Sequence, residues 1–263
     1  MSSLTAGRFL GKTFIVTGAT SGVGRAIALR LASEGASGIT VVGRNEERGE
    51  GVVRELEEMG SEAMFVRAEM DRVEDVSAVV PAHVERFDSI HGLVNSAGDT
   101  SRGWLHDQSV EVWDRLMAVN ARAPFILTQA ATNEMRSRGV PGGVVNIITI
   151  TSYGGQPYLN AYAASKAALV GFTKNSAHSL RKDRIRCNGL NIGWTHSAAE
   201  HALQVKETGD EDWLEKANEK APFGKLVQPE DIAAMAALLL SEESGVMTGS
   251  IIDMDQMVMG AYD

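Results

Sequence analysis

The chain alternates short apolar, β-branched runs with longer segments of helical periodicity. TFIVT (13–17), ITVV (39–42), MFVRA (64–68), IHGLVN (90–95) and GVVNIIT (143–149) are the clear runs; IRCNGLNI (185–192) and SIIDMD (250–255) are weaker ones. Helix-length segments lie between them, at Gly22 to Glu34, Glu46 to Met59 and Val110 to Arg136. Near-continuous apolar strands alternating with helices predict an α/β fold, a parallel sheet covered on both faces. The charged run at 46–60 reads as a solvated helix face. The segment at about 195–221 is polar, with Trp194, His196, His201 and Trp213 in or beside it. It is predicted to be an excursion at the C-terminal edge of the sheet, where open α/β folds bind ligands.

Composition narrows this picture. At 263 residues the chain sits near the upper limit for one hydrophobic core, so a single domain over 1–263 is expected. Hydrophobic residues at 44% and charged residues at 22% exclude disorder and coiled coil. A formal net charge of −9 argues against a nucleic-acid backbone as partner. The longest apolar run, Ile232 to Leu240, is far below the ~20 residues needed to cross a bilayer. The N-terminus has no apolar h-region, and the lone cysteine, Cys187, cannot form an intrachain disulfide. A cytoplasmic protein without a membrane or nucleic-acid partner is the expectation. The six histidines show no metal-ligand spacing, so no metal is expected. His83 and His91 read as scaffold residues, and His106, His196 and His201 as loop residues.

The remaining skew is glycine, 27 against 6 prolines. The first strand runs into TGATSGVG (17–24), where a helix begins. Glycine allows a tight turn and lets backbone N–H groups approach a pyrophosphate, and the helix N-terminus adds partial positive charge. Gly18, Thr20, Ser21, Gly22, Val23 and Gly24 are therefore candidate cofactor contacts. The end of the second strand should choose the cofactor: a carboxylate there suits the ribose of NAD, an Arg the 2′-phosphate of NADP. The sequence reads VVGRN (41–45), with Gly43 where the acid would stand and Arg44 next. NADP(H) is favoured, with NAD(H) the alternative.

In AYAASKAALVGF (161–172), Tyr162 and Lys166 stand four apart and share a helix face. An unperturbed tyrosine titrates at about 10, and a neighbouring ammonium should lower it toward a usable acid–base range.

Together these residues resemble the short-chain dehydrogenase/reductase family over nearly the whole chain. The resemblance rests on TGATSGVG, NSAG (95–98), Asn120 in MAVNARAPF, YAASK (162–166), RCNGLNIGWT (186–195) and GKLVQPEDIA (224–233). It implies a Rossmann-like, doubly wound seven-stranded parallel sheet and a homotetramer, or at least a homodimer built from the long helices. It implies hydride exchange between a nicotinamide and an alcohol/carbonyl pair. By that resemblance Tyr162 is the acid/base, and Lys166 lowers its pKa and holds the nicotinamide ribose. Asn120 matches the residue that positions a relay water. Asn95 sits in the sheet beside the cofactor. Ala97 and Gly98 contact the cofactor through backbone, and Ile192 to Thr195, including Gly193, lie against the carboxamide. Glu69 and Met70 stand where an Asp and an apolar residue often flank the adenine.

Three departures carry expectations of their own. The family serine thirteen residues before the tyrosine is Thr149 here, with Ser152 as fallback. Ile192 replaces the usual proline. The closing DMDQMVMGAYD replaces an Asp-Gly-Gly ending, and its Met257 and Met259 read as core or subunit-interface residues. The hydroxyl-rich TITSY (149–153) and the polar excursion suggest a sugar or polyol substrate. The alternative from another class is a nucleotide-binding sensor or scaffold that has lost the chemistry.

Overall fold

The computed structural model describes residues 7–258. Seven strands form its sheet: β1 Thr13–Thr17, β2 Gly38–Gly43, β3 Glu62–Arg67, β4 Gly92–Asn95, β5 Gly142–Ile147, β6 Ile185–Ile192 and β7 Ile251–Met254. Their order is β3-β2-β1-β4-β5-β6-β7, and every pairing is parallel. Each run predicted from the sequence is a strand, within a few residues at its ends.

Alternation along these strands divides the core. Phe14, Val16, Val94 and Val145 face one way, against α1 (Gly22–Ser33), α2 (Glu46–Glu58) and α9 (Pro229–Leu240). Ile15, Leu93 and Val144 face the other, against α3 (Val73–Phe87), α5 (Ala123–Ser137) and α6 (Asn160–Leu180). Chain order reverses on either side of β1, so β1 and β4 part at their C-terminal ends and leave a crevice there. Cys187 is a buried core residue of β6, its thiol pushed up to about 12 by burial.

The sequence reading differs from the structure in three places. The helix α3 was not among the predicted segments; it carries Pro81 inside it, which blurs its periodicity. The predicted helix from Val110 to Arg136 is not continuous. It consists of α4 (Val110–Met117), one π-helical turn at Ala118–Arg122, and α5. Pro124 explains the break. It has no N–H to give the Asn120 carbonyl, and its ring crowds that carbonyl, so the helix widens there. The excursion at 195–221 folds as two helices, α7 (Ala198–Thr208) and α8 (Trp213–Lys220). His201 is therefore a helical residue, not a loop one; its Nδ1 accepts from the Trp213 indole N–H at 3.0 Å. Trp213 is buried with Ala217 and Leu226 in a small separate core. No described helix is long and apolar enough to cross a membrane. Met257 is exposed, and Met259 lies outside the described residues.

Candidate active site

A single cleft of about 1390 Å³ runs along the C-terminal ends of the strands, from the glycine turn to α7. The turn is tight because backbone occupies the space that side chains would need. A Cβ at Gly18, where φ is +65°, would come within 2.8 Å of the Ala97 backbone, and one at Gly24 within 2.5 Å of the Gly18 carbonyl oxygen. The side chain of Ser21, which precedes α1, accepts no capping hydrogen bond. The first N–H groups of α1 therefore stay available, the arrangement that receives a phosphate anion. Thr17 ties this turn to the strand beside it: its Oγ1 accepts from the N–H groups of Ser96 and Ala97, both at 3.0 Å.

At the end of β2, a Cβ on Gly43 would stand 2.5 Å from Thr20 Cγ2, so a carboxylate side chain has no room there without moving Thr20. Arg44 is exposed, with Nε 3.9 Å from Glu69 Oε2. Arg48, at the third position of α2, lines the same end of the cleft, its backbone N–H held by Asn45 Oδ1 at 2.8 Å. Glu69 and Met70 line the cleft beside them. Gly193 and Thr195 line its far side; a Cβ on Gly193 would lie 2.1 Å from Asp255 Oδ1.

Tyr162, Lys166 and Thr149 face the cleft from α6 and the end of β5. Lys166 is buried and donates from Nζ to the Ile147 carbonyl at 2.8 Å; burial lowers its pKa to about 8. Its Nζ stands 6.0 Å from the centre of the Tyr162 ring. The tyrosine does not show the lowered value expected from the lysine. Burial pushes it up to about 12, a hydrogen bond with Thr149 draws it back in part, and the negative charge of Glu200 raises it further. Desolvation of the phenolate is the largest cause and decides the direction.

Two predicted residues stand behind the cleft wall rather than in it. Asn120 is fully buried in the π turn. Its Oδ1 accepts from the Asp99 N–H at 2.9 Å, and its Nδ2 donates to the Asp99 carbonyl at 2.8 Å and to Ser165 Oγ at 3.0 Å. Asn95, expected beside the cofactor, does not reach the cleft. It is buried within the sheet, donating to Asn146 Oδ1 at 2.8 Å and Thr128 Oγ1 at 3.2 Å. The fallback Ser152 also points elsewhere, with its Oγ 3.5 Å from Asn191 Oδ1. Thr149 is the hydroxyl the structure brings to Tyr162.

The enoyl-(acyl carrier protein) reductase family profile matches residues 18–256. The chain belongs to the short-chain dehydrogenase/reductase family. It is 34% identical over 247 residues to an uncharacterized oxidoreductase of Thermotoga maritima, covering 94% of this chain and 97% of that one. It is 33% identical to the human (3R)-3-hydroxyacyl-CoA dehydrogenase, covering 96% and 97%. Among solved structures, the L-sorbose reductase of Gluconobacter frateurii, complexed with NADPH and L-sorbose, superposes with a TM-score of 0.91 at 30% identity, covering 97% and 98%. A variant of the actinorhodin polyketide ketoreductase with NADPH superposes at 0.88 and 30%, covering 95% and 98%. This short-chain dehydrogenase/reductase is an oxidoreductase.

The excursion expected at 195–221 does line the cleft, but Arg102, Asp99 and Glu200, which build that wall, were not singled out from the sequence. Arg102, from the loop after β4, reaches α7, pairing with Glu207 and lying 3.9 Å from Glu200; it also stacks over the Tyr158 ring at 5.4 Å. Asp99 holds Ser101 and Arg115 beside it. Burial alone would raise the Asp99 carboxyl, but hydrogen bonds from Ser101 and Arg115 outweigh it and leave the group below its ordinary value. The signal for α7 was present: Ser197-Ala-Ala-Glu200 has the spacing of a helix start, and Ser197 Oγ accepts from the Glu200 N–H at 3.1 Å. Which way the Glu200 carboxylate points was not legible.

Proposed function

We propose that this protein reduces a ketone or aldehyde to an alcohol with NADP(H), and runs the reverse reaction, with Tyr162 exchanging a proton with the substrate oxygen. The carrying observation is the shared cleft: Tyr162, Lys166 and Thr149 at one end, the glycine turn with Arg44 and Arg48 at the other. The glycine cradle and the uncapped start of α1 fit a dinucleotide, which supplies or takes up the hydride when bound. Gly18, Thr20, Ser21, Gly22, Val23 and Gly24 would hold its pyrophosphate. Arg44 and Arg48 favour NADP(H) over NAD(H), because Gly43 offers no carboxylate to the ribose. Glu69 and Met70 would border the adenine, and Ala97, Gly98, Gly193 and Thr195 the nicotinamide half.

In reduction, the substrate oxygen gains negative charge as hydride arrives. Tyr162 is a neutral phenol at neutral pH and can donate its Oη proton to that oxygen. Thr149 Oγ1 would hold the same oxygen. Lys166, fixed by the Ile147 carbonyl, keeps its positive charge 6.0 Å from the Tyr162 ring. Asn120 fixes the loop that carries Asp99, and so the cleft wall.

The polar wall of Arg102, Glu200 and Gln204 supports a polyhydroxy substrate, a sugar or polyol, and the L-sorbose reductase likeness points the same way. The likeness to a hydroxyacyl-CoA dehydrogenase favours a second reading, a 3-oxoacyl thioester. A homotetramer or homodimer is part of the proposal; the exposed Phe125 of α5, 5.9 Å from Phe172 of α6, gives those helices an apolar outer face. The test follows NADPH oxidation across ketoses, simple ketones, 3-oxoacyl thioesters and enoyl thioesters. Turnover of ketoses above the rest supports the proposal, and preference for a thioester selects the second reading. Tight NADPH binding with no turnover at all would leave a sensor or scaffold.

A further inference from the structure

α7 has no buried residue. Val205 packs against the small Trp213 core, and polar contacts hold the side of the helix that meets the cleft, with one side chain at their centre. Glu200 Oε1 accepts from the Trp194 indole N–H at 2.8 Å and from Gln204 Nε2 at 2.7 Å, and Arg102 lies 3.9 Å from the same oxygen. The carboxylate is thereby oriented as well as charged. Its other oxygen, Oε2, has no hydrogen-bond donor among the described residues. Glu200 and Tyr162 line the same cleft, and the Glu200 charge reaches the Tyr162 phenol, so a substrate whose oxygen meets Tyr162 can extend toward this carboxylate.

We infer that Glu200 is a specificity-determining residue that selects carbonyl substrates bearing a hydroxyl on the carbon next to the carbonyl. The inference rests on the carbonyl-reductase reading above and names the substrate feature that it leaves open. A carboxylate accepts and never donates when ionised, so it rewards a hydroxyl and repels an anion. An α-hydroxy ketone offers the required donor. A simple ketone leaves Oε2 facing a methylene group. A 2-oxo acid places a second carboxylate against the first. The reach of the Glu200 charge to the Tyr162 phenol agrees with this placement, since that charge helps to keep the phenol protonated. Gln204 and Trp194 position Glu200 and need not touch substrate.

The test uses matched carbonyls with the full-length wild-type protein and NADPH. Hydroxyacetone and butan-2-one differ by one hydroxyl in nearly the same shape; a ketohexose and its 1-deoxy analogue form a second pair. A charge-assisted hydrogen bond of about 1.5–3 kcal/mol predicts that kcat/KM favours the hydroxylated member of each pair by roughly 10–100-fold. Pyruvate should fall below hydroxyacetone. In Glu200→Gln, which keeps the shape and removes the charge, that ratio should shrink several-fold and pyruvate should gain on hydroxyacetone. The wild-type pairs need no variant, so a poorly folding Glu200→Gln does not block the test. Equal efficiency within each wild-type pair, or a ratio unchanged in Glu200→Gln, overturns the role of Glu200 while leaving the reductase reading intact. Absence of NADPH oxidation with every carbonyl overturns both.

Discussion

Lys166 donates to the carbonyl of Ile147 at 2.8 Å, so the lysine beside the candidate acid is anchored to the end of β5 rather than to Tyr162. This contact fixes the depth of the ammonium in the cleft. Burial at that depth lowers the lysine to about 8 and leaves the tyrosine at about 12. The pair is thus poised with the phenol protonated and the lysine charged at neutral pH, the state needed to donate a proton.

The pH profile follows from that pair. The kcat/KM for carbonyl reduction reports the free enzyme, so it should hold steady through neutral pH and fall above about 8 as Lys166 loses its charge. A steady-state profile from pH 6 to 10 checks this. Rates still flat at pH 10 would remove Lys166 from the set of groups whose charge matters.

Thr149 and Ser152 can be separated directly. Thr149→Ser keeps the hydroxyl and should retain kcat/KM within a few-fold. Thr149→Val keeps the shape, loses the hydroxyl, and should cost roughly 10–100-fold, the worth of one hydrogen bond to a developing negative charge. Ser152→Ala should cost little, because its hydroxyl faces Asn191 at 3.5 Å. A larger loss in Ser152→Ala than in Thr149→Val would reverse the assignment.

Cofactor choice tests the other end of the cleft. Arg44→Asp should move the NADPH/NADH ratio of kcat/KM toward NADH by about 100-fold, since it removes a donor and adds a like charge. Arg48→Ala should move it the same way by about tenfold, one charge-assisted contact. If neither substitution changes the ratio, the 2′-phosphate is not read by this loop.

Acid stability follows from a buried histidine at the opposite end of the sheet. His83 Nε2 lies 3.1 Å from the Ser89 carbonyl oxygen and Nδ1 lies 2.7 Å from Thr40 Oγ1, a fully buried, neutral arrangement. Burial lowers its pKa from 6.5 to about 4. Between those values the unfolded chain binds more protons than the folded one, so stability is full above pH 6.5 and falls as pH drops toward 4. The loss from this group is about 3 kcal/mol by the lower end of that window. His91 is lowered as well and adds in the same direction. Urea unfolding at pH 7 and pH 4.5 measures it, and His83→Gln should flatten the slope. A slope that stays as steep in His83→Gln would place the titrating group elsewhere.

How much of this was legible in the sequence depended on whether a feature is local. The strands were readable because each is a short apolar run ending in a turn, and TGATSGVG announced its turn because backbone must fill the space at Gly18 and Gly24. The π turn was not, since it arises where Pro124 meets the carbonyl of Asn120, a conflict that periodicity averages away. Tyr162 and Lys166 were found by their spacing, but the direction of the tyrosine shift was not. Spacing gives the neighbour, whereas the shift is governed by desolvation and by Glu200, thirty-eight residues onward. The resemblance put Asn95 in the sheet beside the cofactor, but not which way its side chain turns. The strand's alternation turns it toward Asn146 and Thr128, away from the cleft.

Tyr162→Phe removes the proposed proton donor and little else. With saturating NADPH and the best carbonyl substrate found for the wild type, removal of the one proton donor should lower kcat by roughly 10²–10⁴-fold, the span ascribed to general acid catalysis. The loss should fall in that range at every pH between 6 and 8, where the wild-type phenol is protonated. A Tyr162→Phe enzyme that retains wild-type turnover would contradict it.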